Sequence, residues 1–102
     1  MSDKVDPKLI VLFDNEKTVT SSSTYDVSLY GAHTFQVVVP GTSGSVRLET
    51  SLDNNFWSLL SGNYEAANST GNFYINSPLK YIRARNLEVA DSGVHVRYLG
   101  ND

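Results

Sequence analysis

Tyr81, Arg83 and Arg85 stand at alternate positions in KYIRAR, with Ile82 and Ala84 between them. Side chains of an extended chain point to opposite faces in turn, so this spacing predicts a polar stripe with an aromatic end on one face of a strand. Planar guanidinium groups beside a ring suit a carboxylate, a sugar or a partner protein. The plainer alternative is cross-strand pairing with acids such as Glu49 or Glu88 on a solvated face. If the stripe lies between subunits instead, its residues are interface anchors. Tyr81, Arg83 and Arg85, with Asp3 and Lys4 near the N-terminus, form the candidate partner interface.

Other chemistry-bearing residues fit structural roles better than catalytic ones. In SLDNNFW, Asp53, Asn54 and Asn55 have the composition of a strand-to-strand turn, because Asp and Asn side chains cap nearby N–H groups and tolerate left-handed backbone. As calcium ligands they fail the spacing of a helix-loop-helix calcium loop, and one carboxylate is few ligands for a hard cation. Asp14 and Glu16 in FDNEK are expected in a charged turn after the first strand. His33 and His95 are the only histidines, and no nucleophile elbow or glycine-rich oxyanion loop accompanies them. Glu49, Asp53, Glu65 and Glu88 could supply a glycosidase pair only if the fold set two of them at the required separation. NST at 68–70 matches a glycosylation acceptor, which without a secretion signal marks only an exposed loop. No catalytic, cofactor or metal site is expected, and the chain is expected not to be an enzyme.

The elements that must position these residues are strands. HTFQVVV sets Phe35, Val37 and Val39 on one face, and SVRLETSL does the same with Val46, Leu48 and Thr50. PGTSG, residues 40–44, breaks the ladder between them, so 34–51 reads as a hairpin. TYDVSLY sets Tyr25, Val27 and Leu29 together. KLIVLF, FWSLL, FYI, KYIRARNL and GVHVRYL complete a count of about eight strands with no helix longer than one turn, and GNYEAANSTGN at 62–72 reads as a surface loop. ADSG at 90–93 is the tight connection of the last pair. This pattern predicts an all-β fold, an antiparallel β-sandwich or jelly roll of about eight strands over residues 8–100, preceded by a flexible arm at 1–7. Trp57, beside Phe56, Leu59 and Leu60, is expected in the core.

A chain of 102 residues suits one domain, and the lack of cysteine removes disulfides and thiolate metal sites. The five apolar residues Leu9 to Phe13 are too few for a signal-peptide core or a membrane span. Synthesis in the cytoplasm is therefore expected, without membrane association. A net charge of -3, with RAR as the one basic run, argues against a nucleic-acid surface.

SLDNNFWSLL followed by LKYIRARNLEVADSGVHVRYL resembles a pattern of small β-sandwich virion proteins of tailed bacteriophages. There a Ser-x-Asp-Gly-x-x-Trp hairpin precedes a Tyr-Ile/Val-Arg-x-Arg strand, a short glycine turn and a closing alternating strand. Ser51, Asp53, Trp57, Tyr81, Ile82, Arg83, Arg85, Gly93, Val94 and Val96 stand at matching positions, and Asn54 replaces the usual glycine. The resemblance covers about the C-terminal two thirds of the chain. It implies a capsid decoration (cement) protein on the outside of an assembled head, or a head-tail connector or tail component. The implied partner is the major capsid protein lattice, with homo-oligomers possible, and the implied location is the virion surface after synthesis in the host cytoplasm. LSGN followed by YIRAR is also similar to discoidin-like jelly rolls that bind sugars or lipid headgroups, though those are usually longer and often disulfide-bridged. The alternative function is thus a carbohydrate-binding module in which Trp57, Tyr64, Phe73 or Tyr74 stacks on a sugar. Exposed aromatics beside polar groups would favour sugar; buried aromatics and an open edge strand would favour a virion partner.

Overall fold

A computed structural model describes residues 6–61, 63–65 and 69–102. The described chain is all-β, ten strands in two antiparallel sheets. β1 (Lys8–Glu16), β4 (Ala32–Val39), β8 (Ser69–Ile75) and β10 (Val94–Asn101) form a four-stranded sheet in the order β1-β10-β4-β8. The other sheet centres on β5 (Ser45–Ser51) and β9 (Tyr81–Asn86). The short strands β2 (Thr20–Ser21) and β3 (Tyr25–Asp26) pair with β9, and β6 (Ser58–Leu59) and β7 (Tyr64–Glu65) pair with β5.

The core lies between the sheets and is built from the alternation the sequence carries. Phe35, Val37 and Val39 of β4 and Val94, Val96 and Tyr98 of β10 face Val46 and Leu48 of β5 and Ile82 and Ala84 of β9, all fully buried. Complete burial of an aliphatic side chain stabilises by roughly 1.5–3 kcal/mol, so these two inward faces dominate folding. β1 departs from strict alternation. A register shift between Val11 and Phe13 buries the adjacent Leu12 and Phe13, as a β-bulge does when it inserts a residue.

Several expectations are corrected. Asp14 and Glu16 lie within β1, which pairs with β10 as far as Glu16, and not in a turn after it. Residues 34–51 are not a hairpin: β4 pairs with β10 and β8, whereas β5 pairs with β9, so residues 40–44 cross from one sheet to the other. The link at 90–93 crosses likewise between β9 and β10, and the two crossings are clasped together. Asp91 accepts from the Thr42 and Ser43 N–H groups (Oδ1, 3.1 and 3.2 Å) and the Thr42 hydroxyl (Oδ2, 2.6 Å), and its own N–H donates to Ser43 Oγ (3.0 Å). Gly93 has φ +77°, and a Cβ there would meet Asn15 Oδ1, so the second crossing requires glycine. Residues 24–30 hold only the two-residue β3: Ser28 N–H and hydroxyl both donate to Asp26 Oδ1, and the resulting turn leaves Leu29 69% exposed while Val27 is buried. The expected loop at 62–72 contains β7, and β8 has already begun at Ser69.

Trp57 also departs from its expected place in the core. Glu49 pairs with Leu59, so β6 puts Leu59 on the sheet's outer face, and Trp57, two residues earlier, shares that side. Trp57 is half-buried there; Phe56 is 77% exposed, and Leu60 is the residue of this segment that packs on the core.

Candidate functional site

Antiparallel pairing of β5 with β9 sets Arg47 opposite Arg85, Glu49 opposite Arg83 and Ser51 opposite Tyr81. Because Val46, Leu48, Ile82 and Ala84 go inward, these six residues lie on the outer face of the sheet. The expected projection of Tyr81, Arg83 and Arg85 from one face, away from Ile82 and Ala84, is therefore what the chain adopts. Asp3 and Lys4 lie outside the described residues.

Glu49 is the centre of this face. Only 6% exposed, it accepts from Arg83 Nε at 2.7 Å through Oε1, while Oε2 lies 3.0 Å from Arg47 Nε and 3.9 Å from Arg85 Nη1. The Arg83 guanidinium also lies 4.1 Å from the centre of the Trp57 ring, a cation–π contact that holds it from the other side. Glu49 is one of the two acids the plainer alternative named, and Arg83 pairs with it, although Glu49 is nearly buried and not on a solvated face. Three arginines share that one carboxylate, which leaves two surplus positive charges. Arg47 and the convergence on Glu49 were missed in the sequence. Their signal was present in SVRLETSL, where Arg47 and Glu49 alternate with Val46 and Leu48, but alternation does not say which strand lies alongside.

Beyond the arginine face, the polar groups are engaged in structure. Asp53 Oδ1 accepts from the N–H groups of Asn55 and Phe56, both at 2.9 Å, and from the Ser51 hydroxyl at 3.0 Å. The Phe56 and Asn55 bonds hold its carboxyl below the usual aspartate range. Asn54 adopts φ +62°, so the residue that replaces glycine in the phage-like pattern keeps the left-handed backbone glycine would supply. SLDNNFW is a turn that delivers Trp57 to Arg83. Beside it, Ser51, Leu52, Asp53, Phe56, Pro78 and Leu79 line most of an open cleft of about 330 Å³. Glu88 accepts from Gly44 N–H at 3.1 Å, and Glu65 from the Ser45 hydroxyl at 3.5 Å.

The two histidines are separated by burial. His33, 1% exposed, shares a 2.6 Å hydrogen bond between Nδ1 and the Tyr98 hydroxyl, and burial pushes its pKa below the ordinary imidazole value. His95 lies on the outer face of the four-stranded sheet, where Asp14 Oδ1 is 3.5 Å from its Nδ1 and 3.6 Å from Arg97 Nη2. Among the described residues no group of three or more His, Cys, Asp or Glu could hold a metal ion, and no helix is long and apolar enough to cross a membrane.

Known structures share this fold. The SPBc2 prophage-derived protein YomS superposes with a TM-score of 0.70 at 12% identity, covering 100% of this chain and 97% of its own. The PBSX exported protein XepA gives 0.59 at 17% identity over 92% of this chain, which spans 36% of XepA. A Bacillus endospore appendage, from a family of disulfide-linked pili, gives 0.56 at 12% identity over 96% of this chain and 88% of its own. At these identities the likeness is one of fold. No protein-family model matches the chain, and no curated protein sequence matches it.

Proposed function

We propose that this chain is a non-enzymatic structural protein of a tailed-phage particle, a capsid decoration (cement) protein that binds the outside of the assembled head and stabilises it. The observation that carries this proposal is the end-to-end fold likeness to a prophage-derived protein, YomS. The likeness to XepA, a protein of PBSX, supports it over a segment. The physical form suits the role: a stiff two-layer sandwich offers sheet faces and the edge strands β1 and β8 to neighbours. Its partner is the lattice of the major capsid protein, reached after synthesis in the host cytoplasm, and no enzymatic step is involved.

A domain of this size presents a modest face to any one neighbour, so firm attachment needs two or more subunits that only the shell sets side by side. The test is co-sedimentation of the protein with mature shells, procapsids, free capsid subunits and tails from the phage or prophage that carries the gene. Retention on shells and not on free subunits is expected. Deleting residues 1–7, which precede β1, is expected to weaken attachment and leave the fold intact. Equal binding to free subunits overturns the lattice requirement; binding to tails alone moves the protein to a connector or tail role.

One observation favours the carbohydrate alternative. Tyr74 is 67% exposed on the outer face of the four-stranded sheet, and its hydroxyl accepts from the Asn72 amide at 3.1 Å, an aromatic surface beside a polar group. Saturable glycan binding abolished by Tyr74→Ala, with no retention on shells, would establish that function instead.

A further inference from the structure

The outer face of β5 and β9 has far more hydrogen-bond donors than its own acceptors can satisfy. Three guanidinium groups carry about fifteen N–H donors, against roughly four acceptor positions on one carboxylate. Among the described residues Glu49 is the one carboxylate within ion-pair distance of Arg47, Arg83 or Arg85. Arg85 Nε is buried without a hydrogen-bond partner, and Arg47 Nε, although 3.0 Å from Glu49 Oε2, is ion-paired there without hydrogen-bond alignment, whereas Arg83 is fixed between Glu49 and Trp57. The side chains of Arg47 and Arg85 are 31% and 36% exposed, so solvent and a ligand can reach them. This concentration of positive charge stands on a chain whose net charge is -3.

We propose that this face is a carboxylate-binding surface that docks an acidic segment of a partner protein. Arg47 and Arg85 face each other across the strand pair and supply the planar forks that match Asp and Glu carboxylates. Arg83, clamped by Glu49 and Trp57, holds the centre, and Trp57, Leu59 and Tyr81 supply the apolar surroundings. Glu49 keeps the arginines together in the free protein, so little ordering is left to be done on binding. Two surplus charges in a compact patch on an acidic chain suit a short acidic peptide segment better than the long repeated charge of a nucleic acid. The identity of the partner as a capsid subunit rests on the proposed decoration role; the carboxylate chemistry does not.

Trp57 is the only tryptophan, so its emission reports directly on this face. The full chain is titrated at low salt with hexaglutamate, hexalysine and a short DNA duplex. Expected is a saturable response to hexaglutamate, none to hexalysine and a weaker one to DNA. Arg47→Gln/Arg85→Gln should weaken hexaglutamate binding roughly tenfold or more, while Arg97→Gln on the opposite sheet leaves it unchanged. If the double variant does not melt as the parent does, Arg85→Lys, which keeps the charge and removes the fork, should still weaken binding several-fold. No response, an undiminished response in the folded variant, or tighter binding of DNA overturns the proposal. Sedimentation with shells separates the two ideas. A double variant that attaches as well as the parent overturns acidic docking and leaves decoration standing, whereas arginine-dependent hexaglutamate binding by a protein that never attaches to shells overturns decoration and supports the carboxylate surface.

Discussion

Replacing Glu49 with glutamine should lower stability by about 2–3 kcal/mol, although the change keeps the shape of the side chain. Glu49 is nearly buried, with Arg83 at 2.7 Å, Arg47 at 3.0 Å and Arg85 at 3.9 Å. A charge pair 4 Å apart attracts by about 4 kcal/mol at an effective dielectric of 20, but desolvation and repulsion among the three guanidinium groups remove most of that gross figure. What survives is the charge-assisted hydrogen bond from Arg83, about 1.5–3 kcal/mol. The more exposed Arg47 and Arg85 each add under about 1 kcal/mol. Glutamine returns one acceptor oxygen and leaves three cations without an anion. For a chain of this length the loss corresponds to a fall of about 9–14 °C in melting temperature, measurable by circular dichroism with Trp57 emission as a second probe. Salt supplies the discriminating arm. Screening relieves repulsion among uncompensated arginines, so added sodium chloride should stabilise Glu49→Gln more than the parent. A variant that melts within about 2 °C of the parent, or that shows no extra gain from salt, would refute Glu49 as the charge that holds this face together.

Trp57→Ala should cost about 1–2 kcal/mol in urea denaturation, not the roughly 3–5 of a core aromatic, because the ring is half-buried and its specific contact is cation–π. Gly93→Ala should cost about 1–3 kcal/mol through left-handed backbone and collision with Asn15, whereas Gly31→Ala, which has space for a Cβ, should stay within about 0.5 kcal/mol; thermal melts of the pair check this. His33 binds its proton less readily folded than unfolded, so stability is full above the ordinary imidazole value of 6.5 and falls as pH drops from there toward the folded value. Urea midpoints at pH 8 and pH 5 should differ in the parent and differ less in His33→Gln.

Period-two alternation in HTFQVVV, SVRLETSL, KYIRAR and GVHVRYL was enough to determine an all-β chain and to sort Phe35, Val37, Val46, Leu48, Ile82 and Ala84 from Arg83 and Arg85, because strand geometry alone assigns a side chain to a face. The Asp53 turn was legible for the same local reason, since its carboxylate caps N–H groups two and three residues away. Which strands lie side by side was not local. β4 and β5 each present an apolar face, and that pattern is the same whether the faces form one side of a hairpin or confront each other across a core; only packing of both sheets decided for the second. Trp57 went outward for a related reason: hydrophobicity indicates a preference for burial without specifying the surface, and the register of β6 delivered the ring to Arg83. The meeting of Arg47, Glu49, Arg83 and Arg85 likewise joins residues up to 38 positions apart through strand pairing, so it belongs to the tertiary structure even though each side chain's face was already written in the sequence.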